Sequence, residues 1–199
     1  MRYLIVTLLT AFCLVSAQAV EQPKSHKEPE RPAYPVLTMQ GLEDLQLGAP
    51  APSACSFPGL TTKSFQEEDW NEDGRRFVRT SLKLYHNGFY LGRALLDDQK
   101  RVIELEITDW RVAYQGNFAP ASTWKQVKAN LSDTKLHYAY MLEALVAESP
   151  DLPGLQVHFP LEAYRVQGKL KGDFTPLNPA ELPLHAKATK MRLFWVPVE

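Results

Sequence analysis

The chain has 199 residues, of which 22 are Lys or Arg and 23 are Asp or Glu, giving a formal net charge of −1. This balance argues against nucleic-acid binding, which needs a basic face, and against a basic helix lying on a membrane surface. The hydrophobic content of 45% is ordinary for a globular protein, and the length suffices for one well-packed core.

The first nineteen residues predict a secretory signal peptide. Arg2 provides the positive charge, an apolar run follows from Leu4 to Val15, and Ala17 and Ala19 are the small residues that precede cleavage. The apolar run is too short to span a bilayer, so no membrane span is expected in the mature form. One of the two cysteines leaves with this segment, so Cys55 can form no intramolecular disulfide. Export without disulfide bonds favours the bacterial periplasm.

Residues 20–36 predict a mobile tether. Four prolines are spread among Glu, Lys, Gln and Ser side chains, and there is little apolar surface to bury. A single α+β domain is therefore predicted over residues 37–199.

The clearest structural signal lies between residues 77 and 114. Residues 78–84 alternate between apolar and polar side chains, as in a half-buried strand. Asn87-Gly88 is typical of a tight hairpin turn, and residues 103–107 alternate again. The alternation changes phase near Asp109, which indicates a bulge or bend. This segment predicts three or four antiparallel strands.

The second half of the domain combines one clear helix with less certain patterns. Residues 123–126 have the form of a capping box, which predicts that a helix begins there. Residues 136–147 fit both a helix and a strand, and their Ala, Leu, Met and Glu content favours a helix. Residues 155–161 alternate as a strand, placed at a sheet edge because Pro160 lacks an amide hydrogen. With a final strand within residues 186–196, the sequence predicts an α+β fold with a mostly antiparallel β-meander sheet and one or two helices.

An acidic segment resembles the start of a calcium-binding loop. Asp69, Asn71 and Asp73 place oxygen ligands at alternate positions, and Gly74 permits the turn that such a loop needs. The pattern then fails, because its twelfth position is Thr80 instead of a bidentate glutamate. The segment is interpreted as a solvated hairpin turn, with a Ca²⁺ site completed from elsewhere in the fold as the alternative.

Cys55 is a second candidate, as the nucleophile of a cysteine hydrolase. A histidine would have to activate it, and His137 and His158 are available in the sequence. However, a reactive cysteine usually needs a helix N-terminus that lowers its pKa, and Pro58-Gly59 argues against a long helix nearby. A structural thiol is the favoured interpretation.

Trp70 lies in the acidic segment instead of an apolar pattern, which makes it a candidate anchor for an interface. The sequence contains no nucleophile elbow, P-loop or zinc-site histidine spacing. The leading hypothesis is an exported periplasmic protein without catalytic activity. It would act as a binding, accessory or inhibitor-like (immunity-type) module, with another envelope protein or a small ligand as its partner. The alternatives are a calcium-stabilised structural domain and a cysteine hydrolase built on Cys55.

Overall fold

The computed structural model describes residues 33–70, 73–164 and 175–197, and for Asp69 and Trp70 it describes the backbone alone. The predicted signal peptide and most of the predicted tether lie outside these residues. A compact unit begins at Tyr34. The Tyr34 ring packs against the His86 ring with centroids 4.9 Å apart, and Arg111 Nη1 donates to the Tyr34 hydroxyl at 3.3 Å. Ordered contacts therefore begin within the segment that the sequence assigns to the tether.

The described residues form a small sheet, a large sheet and one α-helix. The small sheet contains β1 (Leu37–Thr38), β2 (Gly41–Leu42) and β3 (Leu45–Gln46). The large sheet contains β4 (Leu60–Trp70), β5 (Arg76–His86), β6 (Phe89–Leu96), β7 (Val102–Ile107), β8 (Lys135–Ala139), β9 (Ala144–Glu148), β10 (Leu155–Pro160), β11 (Thr175–Leu177) and β12 (Lys190–Phe194). The helix α1 (Trp124–Asn130) lies between β7 and β8 in the chain.

All neighbouring strands of the large sheet are antiparallel. Their order is β11-β8-β9-β10-β12-β7-β6-β5-β4. Hairpins build the run from β4 to β7 and the run from β8 to β10, and β12 joins the two runs by pairing with β7 and β10. The prediction of a mostly antiparallel sheet is confirmed. Helix content is low, since α1 has seven residues and is the one α-helix in the described ranges.

One face of the large sheet carries the core, and we call the other the open face. Across the packed face, the directly opposed residues Ile107, Met191 and Val157 are buried, and so is Leu84, which lies beyond Gly92 in the same row. The core also includes Trp124 of α1. The small sheet belongs to the same apolar cluster. The packed face is thus covered by α1, the small sheet and irregular segments.

The predicted capping box is confirmed. Thr123 Oγ1 accepts a hydrogen bond from the Gln126 amide at 3.4 Å, and Gln126 Oε1 accepts from the Thr123 amide at 2.8 Å. The helix is then fixed by Trp124, whose Nε1 donates to the Pro179 carbonyl at 3.1 Å and whose ring meets Phe159 edge-on. Throughout the part of the chain that the structure describes, no helix is long and apolar enough to cross a membrane.

Two expectations about the second half were wrong. Residues 136–147 form most of the β8–β9 hairpin instead of a helix, because Leu136 and Tyr138 alternate into the packed face. β10 lies between β9 and β12 instead of at an edge. Its Pro160 is tolerated because it is the last residue of the strand, opposite Ala144.

β6 and β7 approach each other closely at Gly92. Its φ is +152°, and a Cβ added there would lie 2.0 Å from the carbonyl oxygen of Glu106 in β7. Neither strand can retreat without breaking the ladder that both belong to. We expect Gly92→Ala to lower the free energy of unfolding by at least about 2 kcal/mol, measured by urea denaturation.

Gly88→Ala is the matched control for that substitution. Gly88 also has a positive φ, +81°, but no atom lies within 4 Å of the position its Cβ would take. Its loss should be about 1 kcal/mol, from backbone strain alone. Equal losses in the two variants would show that the close approach at Gly92 does not limit stability.

Candidate functional site

The acidic segment singled out in the sequence joins β4 to β5. The ladder between these strands runs without a register shift to Asp69 and Trp70 at the end of β4. Asn71 and the side chains of Asp69 and Trp70 lie outside the described residues. Asp73 is exposed, and Gly74 has φ +71° with open space around it. Within the described ranges, no group of three His, Cys, Asp or Glu side chains is placed to hold a metal ion. The geometry therefore fits a hairpin turn, and calcium binding stays a prediction.

Cys55 lies half-buried in the loop between β3 and β4. Asp44 organises this loop, since its carboxylate accepts hydrogen bonds from the Ser56 amide, from the Ser56 hydroxyl at 2.8 Å and from the Phe57 amide at 3.2 Å. Burial raises the pKa of the Cys55 thiol, and the negative charge of Asp44 raises it further. A nucleophilic cysteine needs the opposite shift, so the surroundings of Cys55 do not favour a hydrolase.

Charged side chains cross the middle of the open face. Arg93, Glu106 and Arg192 lie opposite one another on β6, β7 and β12. Glu106 Oε2 accepts from Lys190 Nζ at 2.9 Å, and Glu106 Oε1 lies 3.4 Å from Arg93 Nε. Arg192 Nε donates to Glu104 Oε1 at 2.7 Å. Each of these acids therefore has a basic partner on a neighbouring strand.

Glu67 of β4 extends this arrangement to the sheet edge. It accepts from Arg93 Nη1 at 3.0 Å and from the Ser81 hydroxyl at 2.7 Å. We call the following six side chains the charge network: Glu67, Arg93, Glu104, Glu106, Lys190 and Arg192. Three are acidic and three basic, so the network is formally neutral. It stabilises the open face without presenting an excess charge to an ionic ligand.

His158 lies fully buried in β10, close to the charge network. Its Nε2 is 3.4 Å from Gln156 Oε1. Burial lowers the pKa of His158 to about 3, and the positive charges of Lys190 and Arg192, followed by His137, act in the same direction. The imidazole is therefore neutral at neutral pH and enclosed, which does not suit it to activate a thiol in solvent.

Large apolar side chains are exposed at one end of the large sheet. The β5–β6 turn, the segment after β7 and the β8–β9 turn all lie at this end, because neighbouring strands alternate in direction. We call the six side chains exposed there the apolar rim; their exposed fractions run from 42% to 81%. They are Phe89, Tyr90, Trp110, Tyr140, Met141 and Leu142. Singly exposed apolar residues are common, whereas several large ones exposed close together make a candidate interaction surface.

The apolar rim continues onto the open face. Met141 and Leu142 line a groove of about 220 Å³, together with His137, Val146 and Phe194 from β8, β9 and β12. In the sheet order, the β8–β9 turn and the β5–β6 turn are separated by five strand spacings, or about 24 Å. That span matches one side of a protein–protein interface and exceeds the size of a small ligand.

The sequence pattern pointed to Trp70 instead of Trp110 and gave little sign of the rest of this surface. Trp110 is 67% exposed, and the phase change near Asp109 was a signal that it leaves the sheet. Because the sequence favoured a helix over residues 136–147, no exposed turn was expected at residues 140–142. They form a turn of 3₁₀ helix that ends at Glu143, which has φ +45°.

Comparisons with known proteins concern the fold. No protein-family model matches the sequence, and no curated protein matches it significantly. The fold is similar to that in the crystal structure of the uncharacterized protein yfeY from Escherichia coli. The TM-score is 0.53 and the sequence identity 12%, with 80% of this chain and 99% of that chain covered. At this identity the similarity shows a shared fold and carries no statement about function.

The acidic turn can be tested by thermal unfolding in millimolar calcium and in a chelator. We expect the same unfolding temperature in both, because a ligand stabilises only a state that binds it. Asp73→Ala should leave this result unchanged. A rise in calcium that Asp73→Ala abolishes would instead identify a metal site in the segment.

His158 predicts a specific loss of stability in acid. The imidazole of His158 titrates near pH 6.5 in the unfolded chain and near pH 3 in the folded protein. The stability that the buried, neutral imidazole contributes is therefore fully present above pH 6.5 and is lost as the pH falls towards 3. Lowering the pH from 7 to 5 should reduce the free energy of unfolding by about 2 kcal/mol through this residue. His158→Gln should lose about that much less than the wild type over the same range.

The control for this measurement is His185→Gln, which changes an exposed histidine. It should keep the wild-type dependence on pH. If His158→Gln also keeps it, the buried imidazole is not the group responsible.

Proposed function

We propose that the protein is an exported bacterial envelope protein that binds another envelope protein through the apolar rim and has no catalytic activity of its own. The observation that carries this proposal is the gathering of six large apolar side chains, 42% to 81% exposed, at one end of the large sheet. The signal-peptide pattern at the start of the sequence supports a role outside the cytoplasm.

A protein partner is favoured over a small ligand by the dimensions of the surface. The rim has two parts about 24 Å apart. Tyr, Trp and Met are enriched among the residues that anchor protein interfaces, and the rim contains all three types. The partner is therefore expected to present an apolar face. Such a module would act as an accessory or inhibitor-like factor that covers part of its partner.

The polar groups support binding without catalysis. The carboxylates and basic groups of the charge network are paired with each other, and the pKa of the Cys55 thiol is raised. An acid–base or nucleophilic mechanism instead needs a group held ready at a site that the substrate can reach.

The rim can be tested by capture from a bacterial envelope extract with the tagged protein. Met141→Lys places a charge at the most exposed position of the rim. A partner that depends on the rim should be retained by the wild type and reduced at least about tenfold by this variant. Trp110→Lys, in the other part of the rim, should reduce the same partner.

Val78→Lys is the matched control. Val78 is 56% exposed and lies near the start of β5, at the opposite end of the sheet from the rim. This variant should capture the partner as the wild type does. A partner retained equally by both rim variants would show that the rim is not the binding surface.

A further inference from the structure

The two edge strands of the large sheet differ in how open they are. β11 has three residues with Pro176 at its centre, and proline cannot donate a hydrogen bond to a further strand. β4 has eleven residues, contains no proline and pairs with β5 without a register shift. No described residue pairs with the outer side of β4. A long, regular and unpaired edge is a template for another strand.

The sequence of β4 is complementary to itself in the antiparallel direction. The strand runs from Leu60 to Trp70, so Phe65 is its midpoint. A two-fold axis through Phe65 would pair all eleven positions of two copies. It would place Lys63 of each copy opposite Glu67 of the other, and the two Phe65 side chains opposite each other. Opposite charges and aromatic pairs that face each other across strands stabilise a sheet.

These three side chains share one face of β4 and can be reached from its outer side. Lys63 is exposed and Phe65 is half-buried, with Lys83 Nζ 4.9 Å from the centre of its ring. Glu67 accepts hydrogen bonds from Ser81 and Arg93 in its own chain. Its side chain is still 29% exposed, and a carboxylate has room for a further donor.

The same pattern specifies the register. A shift by two residues in either direction would place Phe65 opposite Lys63 or opposite Glu67. Both shifts lose the aromatic pair. The shift that places Phe65 opposite Glu67 brings Lys63 opposite Asp69 and keeps opposite charges, so the aromatic pair is what decides between these registers. A self-complementary patch that pairs with itself is the property of a symmetric, closed dimer.

We propose that the protein forms a symmetric dimer in which the β4 strands of two copies pair antiparallel about Phe65. The two large sheets are thereby joined edge to edge. The partner is a second copy of this chain, and the interface is separate from the apolar rim.

Size-exclusion chromatography with light scattering of the purified protein, over a series of concentrations, gives the dimer dissociation constant. Lys63→Glu replaces two attractive pairs in each dimer by two repulsive ones. It should raise the dissociation constant at least about tenfold. Lys125→Glu, on the exposed side of α1, should leave it unchanged. A wild type that is monomeric throughout, or a Lys63→Glu variant with the wild-type constant, would overturn the proposal.

Disulfide cross-linking tests the register independently. In a Cys55→Ser background, Phe65→Cys would place two thiols directly opposite each other, with Cβ atoms about 4.5–5.5 Å apart. Treatment with diamide should then give a covalent dimer. Ser64→Cys is the control, because its two copies would be offset by two residues along the strands and too far apart to bridge. A covalent dimer from Ser64→Cys and none from Phe65→Cys would contradict this pairing.

Discussion

The large sheet has two faces, and the described residues provide covering structure for one of them. The packed face is covered by α1, the small sheet and irregular segments, so within the described ranges the open face is stabilised by its own side chains. The charge network stabilises the open face through ion pairs that join neighbouring strands, with Glu106 between Arg93 and Lys190. Isolated surface ion pairs contribute little stability, but these side chains are only 10% to 36% exposed and are linked to one another, so solvent screens them less.

This way of stabilising the open face limits what the face can bind. The three acids and three bases of the charge network compensate each other, so the network itself has little to attract a phosphate, an acidic peptide or a metal ion. Lys63 and Lys83 continue the row of Arg93 towards the β4 edge. Affinity for a partner at the network must then come from neighbouring apolar surface. Apolar surface is exposed where the strands end and the network stops, which is the apolar rim. The position of the candidate site follows from the same one-sided packing that requires the network.

The sequence predicted those elements whose signal is local. The period-two pattern and Asn87-Gly88 correctly indicated β5 and β6, and the capping box correctly located α1. The prediction for residues 136–147 was wrong because their composition favours a helix, and no Asn-Gly or similar turn dipeptide marks the β8–β9 hairpin that they form with partners close in sequence. β4 was missed because an edge strand rich in polar residues has little apolar alternation. Its structure comes from the complete ladder with β5.

The candidate site was less predictable than the fold for the same reason. Arg192 and Glu104 are separated by 88 residues, and Lys190 and Glu106 by 84, so their pairing depends on β12 joining the two runs of strands. Met141 is exposed because it lies in the turn between β8 and β9, and the expectation of a helix there left no place for such a turn. Sequence patterns identify which residues are apolar or charged. Only the strand order shows which of these are left facing solvent.

The two proposed surfaces are compatible in one structure. The rim lies at the end of the sheet where β4 begins, since Leu60 pairs with His86 beside the β5–β6 turn. A two-fold axis through Phe65, perpendicular to the sheet, reverses the direction of every strand in the second copy. The two rims of a dimer then point towards opposite ends of the joined sheet, and neither is covered by the interface. Such a dimer would present one rim at each end of the joined sheet and so would bind two partner molecules. Because the rims face opposite ways, two partners fixed on one surface are not engaged by both rims at once, and dimerisation sets the stoichiometry of the complex without raising the apparent affinity or changing a contact of the rim.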